Sequence, residues 1–251
     1  MRANYTKRPA DHAEYGNAFM GMGPLPARTF IMRTALATIC FDDGRETALT
    51  LGASILEKYG ARGTFYPITE NIGAKNEHGA YAPWDTIVEV HGRGHEVGSH
   101  SHTHRHELKD WERTAQEDDL RRSIELLKER GIKPTTFAYP FGYVSPSLIE
   151  AARKAGFVAA RTVKHGMNSA DTDPMLLRSF ALQDKHTLED VARELEKVVP
   201  RLGWLILTFH HLDDKTYIST PPEMFERMVE HIIACGVPIV TLAEGAELYR
   251  A

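Results

Sequence analysis

Cysteine is scarce: the 251 residues hold two, Cys40 and Cys235. Two thiols cannot build a disulfide framework, and their separation matches no zinc motif. Both read as small buried apolar side chains. No run reaches the ~18 apolar residues of a membrane-spanning helix. The opening stretch MRANYTKRPADHAEYG has no apolar core of the kind a secretory signal needs, so a cytoplasmic location is expected, with a secreted protein whose signal has been removed as the alternative. Charge of one sign is also missing. Lys and Arg number 30 against 34 Asp and Glu, a formal net charge of -4, and the basic residues form no stripe, which argues against a nucleic-acid partner. There is no linker, no internal repeat and no low-complexity stretch. Nothing in the sequence sets an oligomeric state.

What is present is a length and composition that suit one large α/β domain. Residues 1–30 are polar and then rich in Gly, Met and Pro, and read as an irregular arm; residues 31–251 read as the domain. From there strand and helix signals alternate. ALATICF (35–41), RGTFYPI, HEVGS, TTFAY, FVAART, GWLILTF and a closing VPIVTL read as strands. Between them lie helical patterns, among them 110–130 with an apolar stripe through Leu120, Ile124 and Leu127, and SPSLIEAARKAGF with Pro146 in its first turn. TLEDVARELEKVV carries a capping box, with Thr187 as its N-cap and Asp190 three residues on. Repeated βα units imply a mainly parallel sheet, and seven or eight of them favour a closed or nearly closed barrel.

Histidine is the unusual count, 13, with His100, His102, His104 and His106 at alternate positions. Polar clusters follow four strands: DDG after ICF, HSHTH after EVGS, PFG after FAY, and HH after ILTF. In such a barrel these strand ends meet at one mouth. Asp42 and Asp43 leave a buried strand together, where carboxylates are costly unless used or paired. They read either as one metal ligand and one proton acceptor, or as helix-capping residues of a turn. His100 and His104 share a face if the segment is helical; if it is extended, all four alternate histidines do. Two imidazoles and a carboxylate make a three-ligand site with an open position, the pattern of a catalytic zinc. His210, with His211 as its alternative, is a candidate proton donor.

ICFDDG, GHEVGSHSHTH, FAYPFG and LILTFHH, in this order and spacing, resemble the motifs of the NodB-type polysaccharide deacetylases, carbohydrate esterase family four. The resemblance covers about residues 36–242. It implies a distorted (β/α) barrel with seven or eight mainly parallel strands. It also implies hydrolysis of N- or O-acetyl groups on carbohydrate with a divalent metal, Zn2+ first and Co2+, Ni2+ or Mn2+ as alternatives. Asp42 then corresponds to the general base and His210 to the general acid. Asp43, His100 and His104 correspond to the metal ligands, and Ser101 to a hydroxyl that braces the loop. Pro140 and Phe141 correspond to the groove wall, with the Phe141 N–H facing the developing oxyanion. Tyr143, and less clearly Leu207, would line the sugar site.

Two departures stand out. Many members carry an Arg two residues before the Pro of the third motif; here that position is Ala138. Arg161 is a candidate replacement, or an ordinary ion-pair partner. The family's Asp that tunes the catalytic histidine has no clear counterpart, with Asp171 and Asp173 in roughly the right region. Two rival readings follow. One is hydrolysis of another C–N bond on this scaffold, such as opening of a cyclic amide like allantoin or deformylation of an amino sugar. The other is a catalytically silent barrel that binds metal or carbohydrate.

Overall fold

Strand β1, Leu36–Phe41, is apolar along its length apart from Thr38, and every residue in it is buried. Such a run suits the middle of a sheet covered on both faces. The computed structural model, which describes residues 34–213 and 215–250, places it there. The expected arm 1–30 lies outside the described residues.

β1 pairs in parallel with β9, Trp204–Phe209, from Leu36↔Trp204 through Phe41↔Phe209. On its other side it meets β2, Thr64–Phe65, which pairs with β5, Glu96–Val97. A bridge from Ser99 to Phe137 carries the ring to β6, Thr136–Ala138, and so to β7, Ala159–Arg161. Arg161 bridges to Leu177, and β8, Phe180–Ala181, returns to β9. Seven parallel staves thus close on themselves.

The expected closing strand VPIVTL is reduced to one bridge, Ala37↔Ile239. Pro238 has no N–H to extend the ladder. β2 already occupies that side of β1 at Cys40 and Phe41. The eighth stave is therefore a fragment at the bottom of the barrel, which is where the distortion lies. Two elements had no sequence signal: β8, two half-buried residues, and a hairpin of β3 (Lys75–Asn76) and β4 (Gly79–Ala80) outside the barrel.

Helices separate the strands. They are α1 Ala53–Lys58, α2 Trp84–Gly92, α3 Arg113–Lys128, α4 Pro146–Lys154, α5 Leu188–Val198, α6 Pro222–Ala234 and α7 Leu242–Arg250. Of these, α3, α4 and α5 follow the three patterns read above. Ser145 caps α4 by accepting from the Leu148 N–H, and the Thr187–Asp190 box opens α5. Phe41 stacks on Phe65 at 5.0 Å, and Phe225 of α6 closes edge-on over Phe41 and Phe209, locking helix to barrel. Cys40 is buried as expected, but Cys235 is exposed where α6 ends. Among the described residues no helix is long and apolar enough to cross a membrane.

Candidate active site

The DDG turn at the top of β1 sets the site. The Asp42 N–H still donates to the Phe209 carbonyl at 2.9 Å, so Asp42 remains in the ladder. Asp43 and Gly44 then turn left-handed, with φ of 67° and 76°. A Cβ on Gly44 would stand 2.9 Å from Pro67 Cα, so only glycine allows this turn to lie against the chain that follows β2. The turn sends the two carboxylates different ways. Asp43 Oδ1 lies 3.8 Å from Nε2 of both His100 and His104. Asp42 Oδ2 lies 3.8 Å from His100 Nε2, and Asp42 Oδ1 accepts a hydrogen bond from Arg161 Nη2.

The segment 100–104 is neither helical nor extended. Ser101 and His104 take positive φ, 66° and 51°, and the chain doubles back. This brings the rings of His100 and His104 to 4.6 Å. His100 Nδ1–H donates to the Ala138 carbonyl at 2.8 Å, which leaves the Nε2 lone pair facing Asp43. Ser101 Oγ accepts from the His104 N–H at 2.9 Å. His102 turns away to Thr69 Oγ1 at 3.0 Å.

The loop's main anchor is Asp119 of α3, which the motif reading missed. It accepts from the His102 N–H (2.8 Å), the Thr103 N–H (3.1 Å) and Thr103 Oγ1 (2.6 Å). Its signal was available. Gln116, Asp119 and Ser123 are polar residues at helical spacing on the buried face of α3. A polar row on a core face needs partners.

Arg161 is fully buried at the end of β7, with its guanidinium carbon 5.1 Å from the Tyr66 ring centroid. It reaches Asp42 from β7, which is not a sheet neighbour of β1. Phe141 also has positive φ, 55°, which is strained for a bulky side chain. Its ring lies 4.5 Å from that of His104 and is 44% exposed. Tyr143 stacks beyond it at 6.1 Å, and His106 packs against both at 5.0 and 4.9 Å. Pro140 is buried beneath. Leu207, by contrast, is a core residue of β9 with no exposure.

His210 follows β9. It is half-buried, and its Nδ1 is a buried atom without a hydrogen-bond partner. His211 is buried, with Nδ1 3.8 Å from Asp213. The structure brings neither Asp171 nor Asp173 to His210. Asp171 is exposed, while Asp173 caps a short turn at Met175 N–H and pairs with Arg153 at 2.8 and 2.7 Å.

The electrostatics suit a cation held between neutral imidazoles. Burial pushes His100 down to about 3 and lowers His104 and His210. For Asp43, burial works upward, but His210, His104, His100 and Arg45 outweigh it and hold the carboxyl below its usual range. Asp43, His100 and His104 each offer one ligand atom, all within 4.8 Å of one another. Two neutral imidazoles and an ionised carboxylate fit a divalent ion.

The polysaccharide deacetylase family model matches residues 32–160, just over half of the chain. The chain belongs to this family. The match carries the DDG turn, the histidine loop and the PFG turn, and stops one residue short of Arg161. Two curated relatives match this chain. YxkH of Bacillus subtilis (strain 168), which carries a polysaccharide-deacetylase name, is 28% identical over 134 residues, 53% of this chain and 46% of YxkH. A gellan lyase of Bacillus sp is 28% identical over 141 residues, 56% of this chain and 5% of the lyase. The chain thus spans about half or less of the curated relatives it matches. The fold recurs in the Xyl-CE4 domain of a multidomain xylanase from the hindgut metagenome of Trinervitermes trinervoides. That match has a TM-score of 0.60 at 17% identity and covers 85% of this chain and 90% of the other. It recurs again in a family 4 acetyl xylan esterase from Clostridium thermocellum, solved with a cobalt ion. There the TM-score is 0.56 at 23% identity, over 83% and 89%. At these identities the likeness is one of fold.

Proposed function

We propose that this protein is a divalent-metal hydrolase that removes acetyl groups from N- or O-acetylated carbohydrate. One observation carries the reading: the three-ligand cluster Asp43, His100 and His104 stands beside a second buried carboxylate, Asp42, at the barrel mouth. Asp43, His100 and His104 would hold the ion, and Zn2+ suits this donor set best, with Co2+, Ni2+ or Mn2+ as alternatives. When bound, the ion polarises the acyl carbonyl and makes water more acidic.

The chain's own groups do the rest. Arg161 holds one oxygen of Asp42, leaving Oδ2 on the side of the ligand cluster to take a proton from the attacking water. The Phe141 N–H faces the developing oxyanion. His210 gives a proton to the departing nitrogen or oxygen. The acyl C–N or C–O bond breaks, a C–O bond to water forms, and acetate leaves with the free amine or hydroxyl. Phe141 and Tyr143 offer stacked, half-exposed faces to a sugar ring. Arg161 thereby takes the work of the absent motif arginine.

Acetate release from N-acetylglucosamine oligomers and O-acetylated xylan, with chelator and with restored Zn2+, tests this reading. Metal-dependent release is expected. A stoichiometric metal with no release from any substrate would instead support cyclic-amide hydrolysis, deformylation or a silent barrel.

A further inference from the structure

Arg45 lies two residues beyond Asp43 and is 4% exposed. An arginine almost removed from water is costly unless its donors are used. Nη1 donates to Asn76 Oδ1 at 3.0 Å, and Nη2 donates to Tyr81 Oη at 2.9 Å. The guanidinium carbon sits 3.8 Å from the Tyr81 ring centroid. Nε is buried and has no hydrogen-bond partner. It stands 3.9 Å from Asp43 Oδ2. The other oxygen of that carboxylate, Oδ1, is the one 3.8 Å from His100 and His104. Asp43 is therefore divided, with one oxygen towards the imidazoles and the other towards a guanidinium.

A carboxylate can ligate a cation through one oxygen or both, and partners outside the ligand set bias the choice. We propose that Arg45 is a positioning residue: it holds Oδ2 back and confines Asp43 to one-oxygen ligation, which keeps coordination places free for water and the acyl oxygen. This rests on Asp43, His100 and His104 being metal ligands. Arginine fits the task because its fork reaches the hairpin through both Nη atoms while Nε points back. The β3–β4 hairpin then has a role. Asn76 and Tyr81 pin the fork, a backbone bridge joins Arg45 to Tyr81, and the Ala82 N–H donates to the Gly44 carbonyl at 2.9 Å. The hairpin braces the DDG turn from outside the barrel.

The competing role is a structural clip with no effect on the metal, and cobalt separates the two. Visible spectra of Co2+-loaded wild type, Arg45→Met and Tyr81→Phe would be compared beside their thermal melts. Two-oxygen ligation raises the coordination number and weakens the cobalt bands. Weaker bands are expected for Arg45→Met, with a smaller change in the same direction for Tyr81→Phe. Arg45→Lys keeps the charge but loses the fork, so its metal affinity in chelator competition should fall ~10-fold. Bands like wild type in both variants, even with lowered melting temperatures, would overturn the proposal. If Arg45→Met does not fold, Tyr81→Phe decides alone. Wild type that takes up no cobalt would sink the metal-site reading itself, a different failure.

Discussion

Asp42 gives one oxygen to Arg161 and keeps the other beside His100. That division supports two expectations at the scale of the residue. Asp42→Asn should retain metal yet lose about 10²–10⁴-fold in turnover, the usual weight of a positioned base. Near-normal turnover with a full complement of metal would show that Asp42 is not the base. Arg161→Met should behave differently, because it leaves a buried carboxylate unpaired. Breaking a buried pair costs about 3–5 kcal/mol, so denaturant unfolding at neutral pH should show the loss, and activity should fall with it. Both residues were legible in the sequence, Asp42 from its motif and Arg161 as one of two readings. The Arg161–Asp42 contact was not legible, because it joins positions 119 residues apart through the closure of the barrel.

At the scale of the element, α3 and the histidine loop act as a pair. Gln116, Asp119 and Ser123 line the buried face of α3; Asp119 ties down residues 102–103, and Ser123 meets Ser99 Oγ at 2.8 Å. Neither of the two loop shapes that local spacing allowed is the one found. Its two positive-φ residues, Ser101 and His104, are tied to each other through the His104 N–H and Ser101 Oγ, while the tertiary anchor acts on the residues between them. Asp119→Ala strips the acceptor from three donors at once. A loss of about 1–3 kcal/mol is expected for donors left unpaired in this half-buried loop, with weaker metal retention in chelator competition. A thermal melt and metal affinity both equal to wild type would show that the loop holds itself.

The whole molecule carries several histidines that stay neutral by burial. In metal-free protein, His100 sits at about 3 and His211 at about 4. The unfolded chain takes up protons at these positions below about pH 6.5. The folded chain does not do so until the lower values are reached. The unfolded state therefore binds more protons in that window, and stability is lost as pH falls from about 6.5 towards 4. Urea midpoints across this range should drop; midpoints independent of pH would count against the buried neutral state. Adding Zn2+ at neutral pH should raise the melting temperature of the metal-free protein, since an ion bound only by the folded chain stabilises it by mass action.

The sequence by itself determined the βα alternation, the proline in the first turn of α4, the capping box of α5, and which strand ends carry carboxylate, imidazole and aromatic groups. These follow from short-range periodicity and turn chemistry, so they can be read from neighbours along the chain. Only the tertiary structure decided that β8 pairs with β9 and that the closing segment stays a fragment. It alone placed Arg161 on Asp42, Asp119 beneath the histidine loop and Arg45 behind Asp43. The first needs closure of the barrel, the second the docking of α3 under the loop and the third the hairpin that holds the Arg45 fork, and no local pattern along the chain encodes such packing.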